Sequence, residues 1–175
     1  MSVLVRRIRA DEWREVRDFR LEALQDPLAP LAFLETYEGR KAMPDRFWQE
    51  RAAGAADGTH VSQWVAELGG EWIGTVVVIA FHAGETDHYG NVASADRADL
   101  VGVYVQPASR GLGVFDLLVT AAARWTREHG LAALELRVNP HNSRALRAYL
   151  RCGFVDTGDR VRAGDVADVV MRLEL

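Results

Sequence analysis

Cysteine, lysine and long apolar runs are scarce in this chain, and each scarcity excludes something. The single cysteine, Cys152, permits no internal disulfide and agrees with a reducing compartment. Paired-cysteine and HExxH metal spacings are missing too, so no metal is expected. Lys41 is the only lysine, and arginine carries the rest of the positive charge. No apolar stretch approaches the roughly 20 residues of a membrane-spanning helix, so no membrane partner is expected. The net charge of −4, from 25 acidic against 21 basic residues, leaves no global basic field for nucleic acid. Repeats and low-complexity segments are absent as well.

What is present is an ordinary globular composition, 49% hydrophobic and 26% charged. At 175 residues the chain suits one domain, expected over residues 1–175. In the N-terminal MSVLVRRIRADEW the arginines follow a short apolar run, the reverse of a signal peptide, so a cytoplasmic location is expected.

The informative stretch is LVGVYVQPASRGLGVFDLLVTAAARWTREHG, Leu100 to Gly130. Leu100 to Val105 reads as a strand, Pro107 stops it, and a turn follows with Arg110, Gly111 and Gly113. Helical spacing then begins, with Val114, Leu117, Leu118, Ala121, Ala122 and Trp125 on one apolar stripe. A glycine-flanked turn opening a helix presents unpaired N–H groups and a positive dipole end, a site suited to phosphate or pyrophosphate. The dinucleotide fingerprint does not fit, because its third glycine place falls on Asp116. A P-loop does not fit either, since no lysine follows Gly113.

The turn resembles the acyl-CoA pyrophosphate loop of the GCN5-related N-acetyltransferases: Arg or Gln, two residues, Gly, one residue, Gly or Ala. Arg110-Gly111-Leu112-Gly113-Val114-Phe115 matches all but the last place, where Phe115 replaces a small residue. A second motif follows an apolar strand from Ala133 to Val138. In NPHNSRALRAYLRCGF, Asn142, Ala145, Tyr149, Gly153 and Phe154 match the family's Asn, its helix with Ala and Tyr, and its Gly-Phe. The close resemblance covers Asp99 to Phe154.

The remaining elements fall in the order this fold would require. Val3 to Ile8 is expected as a first strand, and Asp11 as the cap of a helix with Trp13, Val16, Phe19, Ala23 and Leu24 inward. Asp26-Pro27 and Pro30 break it, and Leu28 to Pro44 shows no period. Phe47, Trp48 and Arg51 belong to a second helix ending near Gly54 to Gly58. Val61 to Leu68 and Trp72 to Phe81 form a hairpin closed at Gly69-Gly70. His82 to Ala98 reads as a loop, in which His82, Asp87 and His88 are solvated rather than metal ligands. After Phe154 come a short strand, a turn near Gly158 and a last strand, Val166 to Leu173. The expected class is α/β, a mixed sheet flanked by helices as in the acyl-CoA N-acyltransferase fold.

The resemblance implies direct acetyl transfer from acetyl-CoA to a primary amine in a ternary complex. Tyr149 would protonate the departing sulfur; as a plain residue it lies on an apolar stripe with Leu146 and Leu150. Asp99 would take the amine proton, directly or through water; otherwise it is a solvated carboxylate beside Asp96. Val103, Tyr104 and Val105 would hold the pantetheine arm through backbone groups, with the Val103 N–H facing the oxyanion. Arg110, Gly111, Leu112, Gly113, Val114 and Phe115 would line the pyrophosphate, and Asn142 would cap its helix and contact the arm. Cys152 reads as a packing thiol. A small-molecule amine is the expected acceptor, with a protein N-terminus or lysine as the alternative. A non-catalytic acyl-CoA sensor is the reading from another class, and pairing into a homodimer through a sheet edge fits the resemblance.

Overall fold

Gly69 and Gly70 both take positive φ, 63° and 89°, as a two-residue primed turn requires. They fold β2 (Val61–Leu68) back on β3 (Glu71–Phe81). The computed structural model describes residues 2–163 and 165–175. β1 (Leu4–Arg7) adds to β2, and β4 (Arg97–Val105) adds to β3, both antiparallel. The chain then crosses over through α5 (Val114–Glu128) to β5 (Ala133–Val138), which is parallel to β4. α6 (Ser143–Arg151) leads to β6 (Val155–Ala163) and β7 (Val166–Glu174), and the seven strands lie in the order β1-β2-β3-β4-β5-β7-β6.

Helices cover both faces. α5 packs Val114, Leu118, Ala122 and Trp125 against Val76 and Val78 of β3 and Leu100 of β4. Gly74 sets the closeness of that contact. A Cβ there would stand 3.0 Å from both Leu118 Cδ1 and Val114 Cγ1. On the opposite face α1 (Trp13–Leu24) and α4 (Asp45–Asp57) bury Trp13, Val16, Trp48 and Ala52 against Val65. The five residues expected inward on α1 are all buried.

Several sequence expectations shift by a turn or a strand end. Glu12, not Asp11, meets the backbone at the start of α1: its carboxylate accepts from the Arg9 N–H at 2.7 Å. Leu28 to Pro44 holds two helices too short to show a period, α2 (Ala29–Ala32) and α3 (Tyr37–Lys41). The first follows an Asp26 carboxylate that accepts from the Leu28 N–H, and the second is capped by Thr36. β4 begins at Arg97 rather than Leu100, because buried charges at Arg97 and Asp99 disguise its first residues. β6 runs straight through Gly158, whose φ of 87° marks a bulge in the register with β7 instead of a turn. Leu117 is 45% exposed, at the edge of the α5 stripe rather than within it.

Leu118→Ala is expected to cost about 2–5 kcal/mol in denaturant unfolding, since the side chain is fully enclosed. Leu117→Ala should stay within about 0.5 kcal/mol. Equal losses would contradict this division of the α5 face.

Candidate active site

β4 and β5 are hydrogen-bonded partners only at Ala98 with Leu134 and Asp99 with Glu135. Beyond that point they part. β4 is bulged just there: Gly102 and Val103 stand opposite the single residue Val76, and Gly102 has φ of 61°. A bulge bends its strand and leaves the extra residue outside the ladder. The gap holds a cavity of about 580 Å³, walled by β4 from Leu100 to Val105, the first residues of α5, and α6. Val103, Tyr104 and Val105 are all on its wall. The Tyr104 side chain turns the other way, its ring against Phe19 and its hydroxyl 3.1 Å from Glu22. Burial, then the Glu22 charge, pushes that phenol up from its ordinary value.

The glycine turn before α5 closes the outer end. Gly111 and Gly113 have φ of 78° and 77°, the left-handed region that favours glycine. Gly113 precedes α5 with no side chain capping it, so the first N–H groups of this 15-residue helix have no side-chain acceptor there. Nothing lies within 4 Å of where a Cβ would stand at either glycine, so the turn has open space beside it. Leu112 is 65% exposed and stands off the cavity wall.

Arg110 lines the cavity but is already engaged. Its Nε donates to the Val105 carbonyl at 2.9 Å and its Nη2 to the buried Asp26 carboxylate. It fastens the turn to the end of β4 and to the segment after α1. Arg144 and Arg147 of α6 also line the cavity, and neither is in a salt bridge among the described residues. Burial and the Arg110 charge push the Arg144 guanidinium down from its ordinary value, against the opposing charge of Asp26. Sequence reading missed these two; their signal was a pair of arginines three apart on the helix that follows the Ala133–Val138 strand.

Phe115 does not plug the turn. Its ring packs edge-on against Tyr149, 5.5 Å between centroids, and Tyr149 meets Phe154 at 5.8 Å. Tyr149 is buried, lines the cavity, and its phenol is pushed up by burial. Burial thus favours the neutral O–H over the phenolate. Asn142 caps α6, accepting from the Ala145 N–H at 3.2 Å, and also lines the cavity. Cys152 donates to Asp116 at 3.2 Å, and burial with that carboxylate pushes the thiol up to about 12. It is no thiolate nucleophile.

Asp99 is not on the wall of the large cavity and is not solvated. It is 3% exposed, accepts from Arg97 Nε at 2.8 Å, and lies 3.6 Å from Arg137 Nη1. Asp87, read from sequence as a solvated loop residue, is the most enclosed member of this cluster. Its side chain is fully buried, accepting from Arg137 at 2.6 Å, Arg97 at 2.9 Å, and the N–H groups of Tyr89 and Asn91. Among the described residues no group of three His, Cys, Asp or Glu side chains is placed to hold a metal ion, and no helix is long and apolar enough to cross a membrane.

A splayed mixed sheet with a glycine turn at a helix N-terminus beside the opening is the architecture of the acyl-CoA N-acyltransferases. The family model described as "Acetyltransferase (GNAT) family" matches residues 13–154, and the chain belongs to that family. Comparison with curated protein sequences finds no match. Among solved structures, a GNAT-family acetyltransferase from Streptococcus pneumoniae superposes with a TM-score of 0.77 at 20% identity, covering 99% of this chain and 100% of that one. The PaiA N-acetyltransferase of Thermoplasma acidophilum, in complex with coenzyme A, gives 0.75 at 16% identity over 100% of both chains. AAC(6')-Iy, in complex with the bisubstrate analog CoA-S-monomethyl-acetylneamine, gives 0.69 at 20% identity over 94% of this chain and 97% of that one.

The Asp87 cluster sets an acid limit on stability. Burial alone would raise this carboxyl, but the Asn91 N–H and the Arg137 guanidinium outweigh it and hold it at about 2 against an ordinary 3.8. Glu35 is held at about 2 in the same way by Arg40 and Arg20. A lowered carboxyl stabilises the fold above its ordinary value and stops doing so as pH falls through the lowered one. Thermal melts should therefore lose midpoint steeply from pH 4 toward 2. Asp87→Asn should cost about 3–5 kcal/mol at pH 6 and melt with a shallower acid dependence. A parent indifferent to pH in that range would contradict the cluster's role.

Proposed function

We propose that the chain transfers acetyl from acetyl-CoA directly to a primary amine of a small molecule, both substrates being bound at once. The observation that carries this reading is the meeting of the phosphate turn, the bulge of β4 and the Tyr149 hydroxyl in one cavity. The mouth suits the anionic end of the co-substrate: open N–H groups at Gly113 and two cations, Arg144 and Arg147, without acidic partners. Bound there, acetyl-CoA supplies an activated thioester.

Proximity between thioester and amine contributes most of the acceleration, with no covalent enzyme intermediate. The amine nitrogen attacks the carbonyl carbon, and the N–H of Val103, outside the β3 ladder at the bulge, donates to the oxyanion. As the C–S bond breaks, Tyr149 gives its proton to the leaving sulfur, and the amide and the free thiol are the products. The amine's proton leaves through water towards Asp99. That carboxylate borders a small cavity of about 10 Å³ behind the large one, near the least space that holds one water. Direct contact is not part of this reading, since Arg97 and Arg137 stand on the carboxylate.

A small acceptor is supported by the mostly apolar other wall of the cavity, which Leu28, Ala29, Leu31, Ala32 and Phe33 line. The aminoglycoside-derived portion of the analog bound to AAC(6')-Iy is a small amine of this kind. A cytoplasmic location belongs to the same reading.

Acetyl-CoA and CoA at matched excess should raise the thermal midpoint, by about 2.7 kcal/mol of stability at a hundredfold excess over Kd, whereas NAD and ATP should not. No shift with either CoA species would remove the co-substrate. Tyr149→Phe should keep the acetyl-CoA shift and lose about 10²- to 10⁴-fold in turnover, read as thiol release across a panel of amines. Full turnover in that variant would remove the acid.

A further inference from the structure

The proposed acetyl-CoA site leaves the inner end of the cavity without an assigned role, and that end is closed by a side chain from outside the family motifs. Tyr89, on the loop between β3 and β4, lines the large cavity together with Leu100, Val101 and Arg137. The same four residues also line the small cavity of about 10 Å³, whose other walls include His88, Asp99 and Glu135. Tyr89 thus stands in the partition between the two spaces, at the point where the β4–β5 ladder closes.

The partition is held firmly. The Arg137 guanidinium lies 4.0 Å from the centre of the Tyr89 ring, stacked on its face. Arg137 is in turn bonded to Asp87, whose carboxylate also accepts from the Tyr89 N–H at 2.9 Å. Asp87 and Asn91 close the loop tip through the Asp87 N–H on the Asn91 carbonyl at 2.8 Å. One buried carboxylate therefore fixes both the backbone of Tyr89 and the cation its ring rests on. An exposed loop of this composition would otherwise be free to yield to a ligand.

An extended arm along β4, with its phosphates at Gly111–Gly113, runs from Val105 towards Leu100 and brings its acyl group towards this wall. We propose that Tyr89 sets the size of the acyl group, restricting the site to acetyl and similarly short chains, with Asp87 as the positioning residue behind it. Beyond the ring lie charged groups, Asp99 and Glu135, so a longer alkyl chain meets both a steric stop and a polar surface. The inference rests on the co-substrate reading given above, and goes beyond it in naming which acyl thioesters are accepted.

The test needs no knowledge of the acceptor. Titration calorimetry of the full chain with CoA, acetyl-CoA, butyryl-CoA and hexanoyl-CoA should rank acetyl-CoA at least about tenfold tighter than hexanoyl-CoA, the scale of an overpacked pocket. Tyr89→Ala should bring the two within about threefold by removing the ring. Tyr89→Phe keeps the ring and should keep the parent ranking. A parent that binds hexanoyl-CoA as well as acetyl-CoA overturns the inference whether or not the alanine variant folds. So does a folded Tyr89→Ala variant that still discriminates tenfold. Absence of binding by CoA itself overturns the co-substrate reading and this inference with it, and so is distinguishable from a failure of Tyr89 alone.

Discussion

The parting of β4 from β5 after two residue pairs is the constraint on which the rest of the molecule depends. Parallel neighbours inside a sheet ordinarily satisfy each other's N–H and C=O groups, and a buried group left unpaired costs about 1–3 kcal/mol. An opening in mid-sheet is therefore stable only if both strands are held from elsewhere and the exposed edge is met by water or by a ligand. β4 is held by its long ladder with β3, and β5 by its ladder with β7. Each strand keeps a complete partner on its outer side. The gap is what remains between two well-paired half-sheets, and the bulge at Gly102–Val103 turns the β4 edge into it.

Three ties then hold the rim, and two of them are built on arginine. Arg110 joins the glycine turn to the Val105 carbonyl and to Asp26. Asp87 gathers Arg97 and Arg137 beneath the loop that carries Tyr89. Asn142 caps α6 from the third side. The near absence of lysine, mechanistically silent in the sequence, acquires a physical sense here. A guanidinium can engage several acceptors in one plane, as Arg110 and Arg97 do, whereas an ammonium on a flexible stem is a single point charge.

The half of the chain that carries the cavity was legible because its determinants are local. Gly111, Gly113 and Asn142 act within a few residues of themselves, so spacing alone exposes them. Tyr149 was legible only through its motif, since its place on an apolar stripe beside Leu146 suits a plain core residue equally well. Asp87, Tyr89 and Arg137 were not legible. They lie in a loop without period and on a distant strand, and their meeting depends on the crossover that sets β5 beside β4. Asp99 misled for the same reason. A carboxylate next to an apolar strand looks solvated unless the arginines that bury it, Arg97 two positions before it and Arg137 38 positions after it, can be placed.

Charge is arranged unevenly along the cavity, and this unevenness orients a ligand independently of shape. At the inner end Arg97, Arg137 and Arg172 meet Asp87, Asp99 and Glu135 one for one. At the mouth Arg110 is matched by Asp26 and Arg151 by Asp116, while Arg144 and Arg147 remain without acidic partners among the described residues. A ligand with an anionic tail and a neutral head therefore lowers its energy in one orientation only, tail outward. The open N–H groups of α5 act in the same direction at the same end. Because the inner charges are already paired, a neutral acyl group can reside there without leaving a buried ion unmatched, which removal of any single member of the cluster would do.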